Sequence, residues 1–144
     1  MNYTSTRSIM NVSSAQAIAS GIAPDGGLFT PTEIPRLTSA DLTNFQKFSY
    51  SSLAAEILSR FMNDFTKEEL FSYAQAAYDT GRFLRPGTDS REAAGLCELD
   101  PGEALLELFY GPTAAFKDMA LQIMPRLLTA SLKKLGEPRG VCIL

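Results

Sequence analysis

Apolar side chains recur every three or four residues in several stretches of the chain, and each stretch carries its own start and stop signals. Residues 13–21 predict a short helix: Ser13 or Ser14 caps it, Ala15, Ile18 and Ala19 share a face, and Gly21 ends it. Pro24-Asp25-Gly26-Gly27 predicts a turn running into Leu28-Phe29, and Pro31 and Pro35 keep the next stretch extended. Ser39 caps a short helical turn ending near Phe45. Beyond Ser51 and Ser52, the residues Leu53, Ala54, Ile57, Leu58 and Phe61 fall on one helical face. Thr66 and Glu69 have capping-box spacing, and Leu70, Tyr73, Ala74, Ala77 and Tyr78 line the helix behind them until Gly81.

Past Pro86-Gly87-Thr88-Asp89-Ser90, which reads as a linker, the pattern changes. Residues 95–99 predict a short strand, Asp100-Pro101-Gly102 a turn, and Ala104–Tyr110 a second β-leaning run broken by Gly111-Pro112-Thr113. A long helix then reaches about Leu135, its apolar face carried by Ala120, Ile123, Met124, Leu127, Leu128 and Leu135. Pro125 lies inside it and predicts a kink or two abutting helices. Gly136 to Gly140 form the exit turn, and Val141–Leu144 reads as a buried strand. Strand, helix, strand is a βαβ unit. The predicted class is therefore α/β: a mainly helical N-terminal unit over residues 1–90, then over residues 91–144 the start of a parallel-sheet domain. Two parallel strands do not stand alone, so the chain is expected to be a piece of a longer protein.

Composition narrows the chemistry. The chain has 144 residues, 45% of them hydrophobic, and 13 basic against 16 acidic side chains for a net charge of −3. That length suits one domain, or one and part of another. The mildly acidic balance leaves no electrostatic footprint for nucleic acid or an anionic membrane. No apolar run approaches the about 18 residues of a membrane span, and Met1–Arg7 lacks the apolar stretch of a signal peptide, so the expected location is cytoplasmic. There is no histidine, which excludes a Ser-His-Asp or Cys-His pair and a His-ligated zinc within these residues. Cys97 and Cys142 are too few and too far apart for a metal or redox motif and are expected to be buried and reduced. No metal site is expected.

Lys, Asp, Glu, Tyr, backbone or a cofactor must then carry any chemistry, and residues 105–122, LLELFYGPTAAFKDMALQ, are the place for it. A strand ends, Gly-Pro-Thr turns the chain, and a helix begins close to Lys117. Unpaired N–H groups and the helix dipole put partial positive charge at such a start, which disfavours an ammonium and suits a Schiff-base lysine. Asp118 matches the same field by charge and is placed to tether the loop. Thr113 either caps the helix or touches a cofactor, Phe116 either packs beside a cofactor or fills core, and Arg7 is a candidate for a substrate anion. Asp25-Gly26-Gly27 reads as a turn whose glycines answer a backbone need.

This segment resembles the threonine synthase family in Leu106-Glu107-Leu108-Phe109, Gly111-Pro112-Thr113, Phe116-Lys117-Asp118 and Ala120-Leu121-Gln122. Tyr3 with Ser5-Thr6-Arg7, and Gly21 through Phe29, resemble two earlier elements of that family in the same order, so the resemblance covers essentially the whole chain. Ser8 stands where many members have Gly, and Pro125 is unusual behind the lysine. The resemblance implies a pyridoxal 5'-phosphate enzyme of fold-type II that converts O-phospho-L-homoserine and water to L-threonine and phosphate. It implies that Lys117 binds the cofactor and moves protons; Phe116 as a cofactor contact, and Arg7 and Thr113 as substrate contacts, stand beside it as candidates read from the residues themselves. It also implies that the cofactor's phosphate loop and ring partners lie beyond Val141–Leu144, so that these residues alone are expected to be inactive. Two other readings stand beside it: a threonine-synthase-like phospho-lyase using the same lysine, and a non-catalytic binding or assembly module that keeps the motif.

Overall fold

In the computed structural model, residues 1–79, 81–85 and 93–142 are described. The first strand, β1 (Tyr3–Ser5), pairs antiparallel with β2 (Phe29–Pro31), with Thr4 opposite Thr30. Between them lies α1 (Ser14–Ser20), started by a complete Ser13–Gln16 capping box and ended by Gly21 at φ +70°. Asp64 anchors its first turn from a distance, accepting the Ser14 hydroxyl and, at 2.7 Å, the Ala15 N–H. A carboxylate there satisfies helix-start donors and meets the positive end of the dipole.

Next come α2 (Ser39–Phe45), α3 (Tyr50–Phe61) and α4 (Lys67–Tyr78). The cap of α2 is Thr38 rather than Ser39, because Thr38 and Asp41 hold the three-residue spacing that closes a capping box. The Thr66–Glu69 box on α4 forms as expected. Helix α3 is capped by Ser49 and buries Ser51 and Ala55, while its larger apolar residues are only half-buried. Small residues therefore face the partner helix: Ala55 on α3, with Ala74 and Ala77 on α4, lets the two pack closely.

The predicted linker, Pro86–Ser90, lies outside the described residues. After it, β3 (Gly95–Asp100) and β4 (Glu103–Glu107) form an antiparallel hairpin around Gly102, whose φ of +86° a side chain would strain. The second strand stops at Glu107 rather than Tyr110. Glu107 is buried and paired with Arg85 at 3.0 Å, and a Cβ at Gly95 across the register would lie 3.3 Å from its carboxylate. The long helix resolves into α5 (Asp118–Leu121) and α6 (Met124–Lys134), the abutting pair that Pro125 predicts. Gly136 leaves α6 at φ +66°.

One core joins these parts. Leu70, Ala74, Ala77 and Tyr78 of α4 pack with Ala15, Ala55, Phe65, Phe83 and Ala93, and with Ile123 and Leu127 at the start of α6. Lys134 adds an ion pair to Glu69 at 2.9 Å, tying the end of α6 to the start of α4. The α/β character holds, but among the described residues both sheets are two-stranded and antiparallel. Of the expected last strand, Val141 and Cys142 are irregular rather than strand, and Ile143 and Leu144 lie outside the described residues. Cys142 is exposed rather than buried, because it lies on the irregular segment that follows α6, and Cys97 on β3 is half-buried. No described helix is long and apolar enough to cross a membrane.

Candidate active site around Lys117

The segment from Gly111 to Phe116 is a run of tight turns. The Ala114 N–H bonds the Gly111 carbonyl, and the Asp118 N–H bonds the Ala115 carbonyl, each at 3.0 Å. Ala114 sits at φ +55°, a left-handed conformation that costs an L-residue about 1–2 kcal/mol and persists only where its surroundings impose it. The constraint is Asp118. It is 1% exposed, and its carboxylate accepts the Thr113 N–H at 2.7 Å and the Thr113 hydroxyl at 3.0 Å. Gly111 lies directly against it, for a Cβ there would stand 2.5 Å from the Asp118 Cβ. Gly111 is thus required by close approach, and Asp118 tethers the loop as its position in the sequence suggests.

Lys117 is the N-cap residue of α5, with helical φ −61° and ψ −23°, and its side chain is exposed. Its carbonyl accepts the Ala120 and Leu121 N–H groups at 3.0 and 2.9 Å, so its backbone is fixed while its amine is displayed. Among the described residues no carboxylate pairs with that nitrogen. Phe116 is 66% exposed and fills no core here. Thr113 caps no helix, because α5 begins five residues later; its hydroxyl is spent on Asp118. Lys117, Phe116, Thr113 and Asp118 therefore share one turn.

Arg7 belongs to a separate construction beside the β1–β2 pair. Its N–H bonds the Ser5 hydroxyl at 3.1 Å, and its guanidinium bonds the Asp25 carbonyl at 3.3 Å over Gly26. The Asp25 carboxylate gathers the Ser8 hydroxyl, the Gly27 N–H at 2.8 Å and the Ser5 hydroxyl at 2.8 Å. A Cβ at Gly27 would lie 2.2 Å from the Ser5 oxygen, so this glycine answers a close approach. The hydrogen bond from Ser8, then those from Gly27 and Ser5, hold the Asp25 carboxyl below its usual range. A depressed folded value means the clamp is at full strength above the unfolded value of about 3.9, and weakens as pH falls through the lower folded value. The amide resonances of Arg7 and Gly27 are accordingly expected to hold steady through the ordinary carboxylate range and to move only below it. A transition centred on the ordinary range would contradict the clamp.

Sequence pattern located the lysine turn but missed two of its supports. The left-handed Ala114 has no residue-type signal, and the Tyr78 hydroxyl, which bonds the Met119 carbonyl at 2.8 Å, is hidden within what reads as a plain apolar helix face.

The comparisons with known proteins agree with this architecture. The family model described as the threonine synthase N terminus matches residues 2–78. Threonine synthase from Methylobacillus glycogenes is 34% identical over 144 residues, covering 98% of this chain and 30% of that protein. Threonine synthase-like 2 from Rattus norvegicus is 36% identical over 137 residues, covering 93% and 27%. The crystal structure of a PLP-bound threonine synthase from Brucella melitensis superposes with a TM-score of 0.82 at 32% identity, over 94% of this chain and 28% of that one. The class is therefore that of the N-terminal portion of a fold-type II α/β protein. The chain belongs to the threonine synthase family. It spans under a third of the length of these relatives.

Proposed function

We propose that the chain is the N-terminal part of a pyridoxal 5'-phosphate enzyme that converts O-phospho-L-homoserine and water to L-threonine and phosphate, with Lys117 as its cofactor lysine. The observation that carries this reading is the pairing of a displayed amine with a rigid backbone: Lys117 is exposed and unpaired among the described residues, on a turn locked by Asp118 and Thr113. Those properties fit a carbonyl-bearing cofactor, which needs an open primary amine held at a fixed place. When bound, pyridoxal phosphate acts as an electron sink for the neighbouring substrate carbons. Lys117 would hold the cofactor through Nζ and move protons at the substrate's α and β carbons. Phe116, exposed beside it, offers an aromatic face. Thr113 lies on the same loop, and Arg7, whose guanidinium pairs with no carboxylate among the described residues, offers charge for the substrate's anionic group. The remaining cofactor contacts belong to the longer protein, so the 144 residues alone are expected to be inactive.

In the full-length protein, Lys117→Ala is expected to abolish the visible absorbance of the lysine-bound cofactor together with threonine formation. Persistence of that band would remove Lys117 from its role. A phospho-lyase is the second reading, because threonine synthase-like 2 matches at 36% identity, beside 34% for the Methylobacillus glycogenes synthase. Product analysis decides between them: threonine formed from O-phosphohomoserine supports the synthase, whereas elimination of phosphate from O-phosphohomoserine or O-phosphothreonine without threonine supports the lyase.

A further inference from the structure

We propose that Tyr78 is a positioning residue for Lys117, acting through the Met119 carbonyl; this rests on the reading of Lys117 as the cofactor lysine. The need for it begins at Pro125. Proline has no N–H to give the Leu121 carbonyl, and its ring crowds that carbonyl, so the helix started by Lys117 stops after one turn. In the break, the Ile123 N–H bonds the Ala120 carbonyl at 3.2 Å instead of reaching back to Met119. The Met119 carbonyl thereby loses its helical donor. A carbonyl partly withdrawn from water costs stability when it has no partner, and Tyr78, 8% exposed at the end of α4, supplies its hydroxyl at 2.8 Å.

The Tyr78 ring cannot easily shift. Tyr50 meets it edge-on with centroids 5.0 Å apart, and Phe83 packs on it at 5.9 Å. Just past Tyr78, Arg82 donates to the Gln122 side chain at 2.6 Å, a second tie from the same region to the end of α5. Four residues are too few for a helix to hold its own orientation. The lysine turn is therefore fixed at its front by Asp118 on Thr113 and at its back by Tyr78 on Met119, and the second fixture comes from the helical unit. That assigns α3 and α4 a role in setting the reach of the Lys117 amine, beyond filling the core.

The test uses the full-length protein and two conservative variants. Tyr78→Phe keeps the ring and removes the hydroxyl; Tyr50→Phe removes a hydroxyl from the same aromatic stack without touching Met119. Hydrogen exchange without cofactor reads the Leu121 and Gln122 amides, which bond the Lys117 and Asp118 carbonyls. Tyr78→Phe is expected to speed their exchange roughly 3- to 10-fold, the loss of one hydrogen bond, while α3 amides keep their protection. On adding pyridoxal phosphate, the same variant is expected to form the lysine-bound absorbance band more slowly by a similar factor, and Tyr50→Phe at the original rate. Unchanged exchange at Leu121 and Gln122, or equal effects of both variants, would overturn the proposal. If Lys117→Ala leaves the band intact, the cofactor-lysine reading fails on its own, and the exchange comparison still decides whether Tyr78 holds the turn.

Discussion

Replacing Asp118 with alanine is expected to destabilise the protein by about 2 kcal/mol and to release the Gly111–Phe116 loop. The carboxylate accepts both the N–H and the hydroxyl of Thr113, and no other side chain in the turn replaces it. Truncation leaves those donors without their partner and a space where a buried side chain stood against Gly111. Ala114, at φ +55°, is then free to relax to the right-handed side, because the contact that imposes its conformation is gone. Asn at position 118 keeps the shape and one acceptor, so its effect is expected to be smaller. Denaturant unfolding of the two variants measures the difference. Equal stability of Asp118→Ala and the parent protein would show that the tether does not bear on folding.

A larger loss is expected for Phe83→Ala, about 3–5 kcal/mol, the usual range for deleting a buried aromatic ring. Phe83 is 2% exposed, belongs to the shared core and packs against the Tyr78 ring with centroids 5.9 Å apart. Its loss opens a cavity in the shared core and loosens the side chain that carries the Met119 carbonyl. Stability and cofactor retention are expected to fall together in this variant, whereas a substitution at an exposed apolar position such as Leu99 is expected to change neither. Unfolding and absorbance measurements on the same samples check both parts.

Much of this fold is legible in the sequence because its helices announce their ends. The Thr66–Glu69 box, the cap at Ser13 (one of the two serines offered for it) and Gly21 after α1 are local chemistry and appear where the pattern puts them. The break at Pro125 is equally local, since a missing N–H cannot be restored by packing. Partnerships across the chain are different. Nothing in the neighbourhood of Tyr3–Ser5 says that it pairs with Phe29–Pro31, and nothing near Asp64 says that it serves the start of α1, 49 residues away. The strand expected at the end of the chain follows the same rule: an apolar run becomes a strand only where another strand lies beside it, and Val141 and Cys142 are not in strand conformation. For the site, residue type and order pointed to Lys117, Thr113 and Asp118. The bond between Thr113 and Asp118, which converts a cap into a tether, needed three dimensions.

The central claim is that Lys117 carries the cofactor, and covalent trapping tests it most directly. The full-length protein is loaded with pyridoxal phosphate, reduced with borohydride and digested, and the peptides are mapped by mass. The account predicts a phosphopyridoxyl group on the peptide containing Phe116-Lys117-Asp118, and none on that peptide in Lys117→Ala. A phosphopyridoxyl group found on another lysine, with Lys117 unmodified, would contradict it.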